Sequence, residues 1–255
     1  MVSVMLGPPL GAAPIPVRFA EGLTHGFLSL RSLEGETLGY GELLQVPRKE
    51  GIESRLVLRF RDGSLHDEKA IFTQNKFFTL QRYTLVQNGP SFPRALEVSL
   101  QRDTGQYSIK YREGKDGREE HRTEKLELPP DLYNGMLAML LKNLRPKEKE
   151  TVHIVAFTPK PWLVKMLIVP DGNEAVQVGD SERRAIRFMV KPDLGWLKLF
   201  ASLLGKEVPN YYFWILGGES PAFLKFQGPL DPEGPVLRIE LSSPRWPGLP
   251  GQKSQ

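Results

Sequence analysis

The sequence predicts a mainly β protein, built as a single large, curved antiparallel sheet (a half-barrel or open barrel) with two short amphipathic helices. Three observations carry this expectation. Apolar and polar residues alternate along most of the chain, the period of half-buried strands. The 22 prolines and 24 glycines are spread evenly, as expected where many short elements are joined by turns. Just two stretches switch to the three-and-four spacing of a helix.

Taken in order, residues 27–33, 56–60, 70–72, 78–80 and 96–100 read as strands, with Asp62-Gly63 and Asp103-Thr104-Gly105 supplying turn chemistry. Tyr107, Ile109 and Tyr111 then place three large side chains on one face. Gly114-Lys115-Asp116-Gly117 turns the chain into a polar return strand ahead of Leu126 and Leu128, the clearest hairpin in the sequence. After Pro129-Pro130 the period changes. Leu132, Tyr133, Met136, Leu137, Met139, Leu140, Leu141 and Leu144 cover most of a helix surface, so a deeply packed helix is expected over 131–144, stopped by Pro146. Gly135 in its interior suggests the close approach of another backbone.

Strands resume over 151–157, 163–169, 176–178 and 185–191, with the stiff corner Pro159-Lys160-Pro161-Trp162 between the first two. Residues 194–204 return to helical spacing through Leu194, Trp196, Leu197, Phe200 and Leu204, closed by Gly205. Strands over 211–216, 222–226 and 236–241 complete a series of about a dozen. No internal repeat or long linker interrupts them. The expected organisation is a tail or signal remnant over 1–16, a single β-rich domain over 17–243, and a second tail over 244–255.

Composition narrows the function classes. The absence of cysteine excludes disulfides, thiolate catalysis and Cys-ligated metal. A formal charge of +4 is spread over 34 basic and 30 acidic residues, and even the densest stretch, 101–125, mixes seven Lys/Arg with six Asp/Glu, so no nucleic-acid stripe is present. No apolar run reaches the roughly 18 residues of a membrane-spanning helix, and the chain is expected not to be transmembrane. The apolar N-terminal stretch ending Gly11-Ala12-Ala13 has the outline of a signal tail but lacks a basic start and contains Pro8-Pro9. A truncated signal and a plain tail are both open.

His66-Asp67-Glu68 is the densest titratable cluster. Alternation puts His66 and Glu68 on one strand face and Asp67 on the other, the plain reading being surface strand. His25, His121 and His153 stand singly, without metal-ligand spacing, so neither a metal nor a cofactor is expected. Gly218-Glu219-Ser220-Pro221-Ala222 has the outline of a hydrolase nucleophile elbow, but Pro221 has no N–H to offer an oxyanion. Tyr211-Tyr212-Phe213-Trp214 and Phe226 read as core.

The order of elements, Gln87-Asn88-Gly89-Pro90-Ser91-Phe92-Pro93 before a strand, Leu128-Pro129-Pro130-Asp131-Leu132-Tyr133-Asn134-Gly135 ahead of the helix, and the closing Trp214-Ile215-Leu216-Gly217-Gly218 and Arg238-Ile239-Glu240-Leu241 carry a resemblance. Over residues 17–246 the chain resembles bacterial envelope proteins with an antiparallel half-barrel, distantly like lipoprotein carriers. The resemblance implies export, to the periplasm or beyond, and an apolar cavity; it transfers no functional residue.

Two function classes follow. In the first, the curved sheet holds a lipid or other apolar small molecule without chemistry, the cavity lined by Trp196, Phe200, Tyr212, Trp214 and Phe226 and covered by 194–204 as a lid or fixed core helix. In the second, His66 with Asp67 or Glu68 serves a hydrolase, inside the cell or out. A structural envelope module binding another protein is the third reading.

Overall fold

The computed structural model describes residues 13–114, 117–158, 160–178, 181–193 and 210–242. Fourteen strands form one antiparallel sheet that does not close. Eight of them, β1 (Thr24–Arg31), β2 (Thr37–Arg48), β3 (Gly51–Phe60), β4 (Leu65–Gln74), β5 (Phe78–Asn88), β6 (Arg94–Gln101), β7 (Gln106–Glu113) and β8 (Glu119–Lys125), run as a meander from the centre to one edge. The helix α1 (Leu137–Asn143) follows. The remaining strands, β9 (Glu150–Ala156), β10 (Trp162–Val178), β11 (Ser181–Pro192), β12 (Tyr211–Leu216), β13 (Ala222–Pro229) and β14 (Val236–Ser242), return from the far edge until β14 pairs with β1.

The mainly β expectation holds, and the predicted hairpin is β7–β8: Tyr107, Ile109 and Tyr111 are buried on one face while every residue of β8 is exposed. The charges of that edge strand, Glu-Glu-His-Arg-Thr-Glu-Lys, discourage pairing with another chain. The predicted pieces 163–169 and 176–178 are one strand, β10, irregular between Pro170 and Asn173. Pro170 is tolerated there because pairing with β9 stops at Ile168, which leaves no ladder partner for the missing N–H.

Side chains from both wings of the sheet, β4–β7 and β9–β12, meet α1 in one core cluster, so the sheet curls around the helix. A second, smaller cluster lies over the central strands and holds Leu28, Leu30, Leu58, Phe60, Phe92, Leu237 and Ile239.

The predicted helix over 131–144 is shortened to 137–143. Residues 131–134 run beside the edge strand β9 instead. Leu132 bridges His153 in parallel, the Tyr133 N–H donates to the His153 carbonyl, and the His153 N–H donates to the Asp131 carbonyl. Asn134 extends this ladder with its side chain, donating Nδ2 to the Val155 carbonyl at 2.9 Å and accepting the Val155 N–H at 2.8 Å. An amide side chain thus does for Val155 what a further strand would do. Gly135 follows with φ of +70°, a left-handed conformation that ends the extended run and admits the helix.

No backbone closes on Gly135, contrary to expectation; a Cβ there would lie 3.2 Å from the Tyr83 ring and 3.3 Å from Ala70. Gly135→Ala is therefore expected to lose about 1–2 kcal/mol from the left-handed backbone alone, and more from the two tight contacts. Urea melts at matched m-value measure it.

The N-terminal boundary also differs. Ile15 and Pro16, assigned by sequence to the tail, belong to the fold: Ile15 is 2% exposed and Pro16 bridges Phe77. The buried Tyr133 hydroxyl accepts the Ile15 N–H and donates to the Phe78 carbonyl, while Asn143 Oδ1 accepts the N–H groups of Arg18 and Phe19. This strap ties the segment before β1 to the helix. The second predicted helix, with Trp196 and Phe200, lies outside the described residues.

Candidate functional site

Between α1 and the sheet lies a cavity of about 130 Å³. Its floor is the inner face of the central strands. Leu43 of β2 stands opposite Leu56 of β3, which stands opposite Glu68 of β4; the next inward row is Gln45, Ser54 and Ala70. Leu28 and Ile239 extend the floor, and Phe213, Phe223 and Phe226 form one wall, with the Phe213 and Phe226 rings edge to face at 5.0 Å. Gly135, Ala138 and Met139 roof it.

Glu68 is the ionisable group on this lining. Its Oε1 accepts the Tyr83 hydroxyl at 2.8 Å. Burial pushes the Glu68 carboxyl above its usual range, the tyrosine hydrogen bond opposing in part. Burial, and then the neighbouring Glu68, hold the Tyr83 phenol well above its ordinary value. Tyr83 itself is fixed by stacking on Phe157, ring centroids 5.7 Å apart.

Of the residues the sequence placed around an apolar cavity, Phe226 does line it. Tyr212 and Trp214 are not on the lining. They alternate with Phe213, and strand alternation turns them to the opposite face. There the Trp214 indole donates to Glu174 at 2.7 Å and lies under the Lys225 ammonium, 3.7 Å from the ring centroid, beside Arg187. Trp214 is thus buried by long polar side chains and not by core.

The His66 cluster divides as alternation requires, but the surface reading fails for His66, which is 4% exposed. It faces Gln87 across β4–β5 and stacks on Phe92. Gln87 Nε2 donates to the Leu230 carbonyl, which fixes the orientation of the amide. The contact of the same Nε2 with His66 Nδ1 at 3.1 Å is therefore a donation to the ring, and Nε2 of the ring carries the proton. That Nε2 is buried without a partner among the described residues. Burial pushes the imidazole pKa down to about 4.

Asp67 pairs with Arg55 on the outer face and Glu68 bonds Tyr83, so neither carboxylate orients His66 as a hydrolase would need. His153 is engaged by Asp131 at 2.7 Å, and Ser220 stands exposed in the β12–β13 turn beside Pro221. Among the described residues no group of three or more His, Cys, Asp or Glu could hold a metal ion, and no helix is long and apolar enough to cross a membrane.

A larger hollow of about 620 Å³ lies on the outer face between Phe27, Tyr40, Arg55 and Arg59. It is relief between long exposed side chains and holds no buried polar group. The inner cavity is therefore the candidate site. No protein family, curated protein or solved structure matches the chain.

Proposed function

We propose that the protein is a non-enzymatic β domain that holds a small apolar molecule, or the apolar end of a lipid, in the cavity between α1 and the sheet. The supporting observation is the cavity itself. Protein interiors are close-packed, and a cavity of this size walled by leucine, isoleucine and phenylalanine leaves its lining without contacts. An apolar ligand restores them. Size sets the class: an apolar cavity of about 150 Å³ takes up benzene, so 130 Å³ suits one ring or a short length of acyl chain and not a whole phospholipid.

Export belongs to the same proposal. It rests on the resemblance to half-barrel envelope proteins. A half-barrel that holds an apolar guest has an evident use in an aqueous compartment between membranes, where such molecules need cover from water.

The test is calorimetry with toluene, alongside mass spectrometry of extracts from the natively purified protein. Wild type should bind one equivalent of toluene. Ala138→Phe, which fills the cavity from the helix, should weaken binding by about tenfold or more while the unfolding midpoint is kept. A wild-type protein that carries no apolar molecule and takes up none overturns the proposal.

A further inference from the structure

The cavity is lopsided. Its aromatic wall is wholly apolar, but Gln45, Ser54 and Glu68 enter from the opposite side. The strand register explains why they meet. Gln45 and Ser54 are directly paired across β2–β3, and Glu68 is paired with Leu56, two residues from Ser54 on the same face. Gln45 and Ser54 are 3% and 4% exposed as residues, and neither side chain is among the buried polar atoms left without a partner, so their polar atoms face accessible space in the cavity. Glu68 has the Tyr83 hydroxyl on one oxygen, and among the described residues no cation acts to lower its pKa.

Buried polar groups are almost always satisfied, and a desolvated carboxyl without a counter-charge is costly. Gln45, Ser54 and the second oxygen of the half-buried Glu68 therefore turn hydrogen-bonding capacity toward one cavity. They have a purpose once a ligand completes them.

We propose that the cavity takes a small apolar molecule carrying a primary amine, whose ammonium donates to the free oxygen of Glu68 and to the side-chain oxygens of Gln45 and Ser54. This rests on the reading of the cavity as a ligand site and adds the chemistry of the head group. An ammonium has three N–H donors, and the wall offers three acceptors. A purely apolar guest fills the space but leaves Gln45, Ser54 and the second oxygen of Glu68 without a hydrogen bond to it. A carboxylate head places like charge against Glu68, which is repulsive where the dielectric is low. The amine gains a charge-assisted hydrogen bond to a carboxylate whose desolvation folding has already imposed. The upward displacement of the Glu68 carboxyl agrees, because its ionised form lacks the partner that the amine supplies.

Calorimetry at pH 7 with toluene, benzylamine and benzoate keeps the ring constant and varies the head. Benzylamine should bind at least about tenfold more tightly than toluene, and benzoate no more tightly than toluene. This wild-type ranking decides the question without a mutant. Glu68→Gln, nearly the same shape, should collapse the ratio of benzylamine to toluene affinity; circular dichroism checks its fold. A wild type that binds toluene but prefers benzylamine by less than tenfold overturns the head-group inference and leaves the cavity reading standing. So does an amine preference that survives Glu68→Gln. If no probe binds, both fall together.

Discussion

Leu140→Ala is expected to lower the unfolding free energy by about 2–5 kcal/mol, the range for deleting a buried leucine side chain where the surroundings cannot collapse. Leu140 is 0% exposed, and Met136, Met139, Leu141 and Leu144 around it are also buried. Collapse into the new space is opposed from both sides. The sheet beneath is held by its ladders, and the helix is tied by Asn143 to the strap at Arg18 and Phe19. At seven residues α1 is far shorter than the roughly 12–15 at which an isolated helix becomes marginally stable, so it persists through packing and not propensity. Urea or guanidinium melts with unchanged m-value would measure the loss. A shift below about 1 kcal/mol would mean the face is not packed as described.

Stability is also expected to fall by about 3 kcal/mol as pH drops from about 6.5 to about 4, because of His66 alone. The ordinary value of 6.5 applies in the unfolded chain, whereas in the fold burial holds the imidazole neutral down to about 4. Within that window the unfolded state binds the extra proton, so lowering the pH favours unfolding, and raising it through 6.5 restores the full stability. Glu68 acts in the opposite direction. Its folded pKa is raised, so the folded state takes up the proton first, and that group gains stability as pH falls toward its ordinary value.

The two are separated by comparing wild type with His66→Leu, since Glu68 is common to both. Melts at pH 7, 5 and 4 should show a steep decline for wild type and a flatter one for the variant. At pH 7 leucine removes the orphaned Nε2 and leaves Gln87 bonded to the Leu230 carbonyl, so the variant should be near wild type there. Equal pH slopes in the two proteins would sink the assignment.

Whether His66 is inside could be read from the sequence by extending a pattern. Ala70 and Phe72 alternate inward, and stepping back by two reaches Glu68 and then His66. Leu-His-Asp-Glu-Lys ahead of residue 70 reads as polar surface and hides the start of the strand. β2 is hard to read in the sequence for a related reason: glycines occupy positions 39 and 41, leaving half an alternation without side chains. Those glycines lie where a Cβ would strike the β3 backbone, so a close strand approach takes the place of the usual pattern.

The sequence by itself determined the class of fold, the β7–β8 hairpin and the presence of one apolar helix after Pro130. Each depends on local periodicity or turn chemistry, which a short window contains. Tertiary structure decided the site. Gln45, Ser54, Glu68, Phe226 and Ala138 come from five elements, and only register and sheet curvature bring them to one cavity. It also decided that Asp131 to Asn134 should be extended despite helical spacing. An edge strand with unpaired backbone groups offered hydrogen bonds there, and burial of Leu132 and Tyr133 suited either conformation equally. Trp214 and Phe226 were separated by plain strand parity, Phe226 standing opposite Phe213 and Lys225 opposite Trp214, while the bulge between Trp214 and Ile215 brings Phe223 to the face of Phe226, a shift that pairing shows and composition does not.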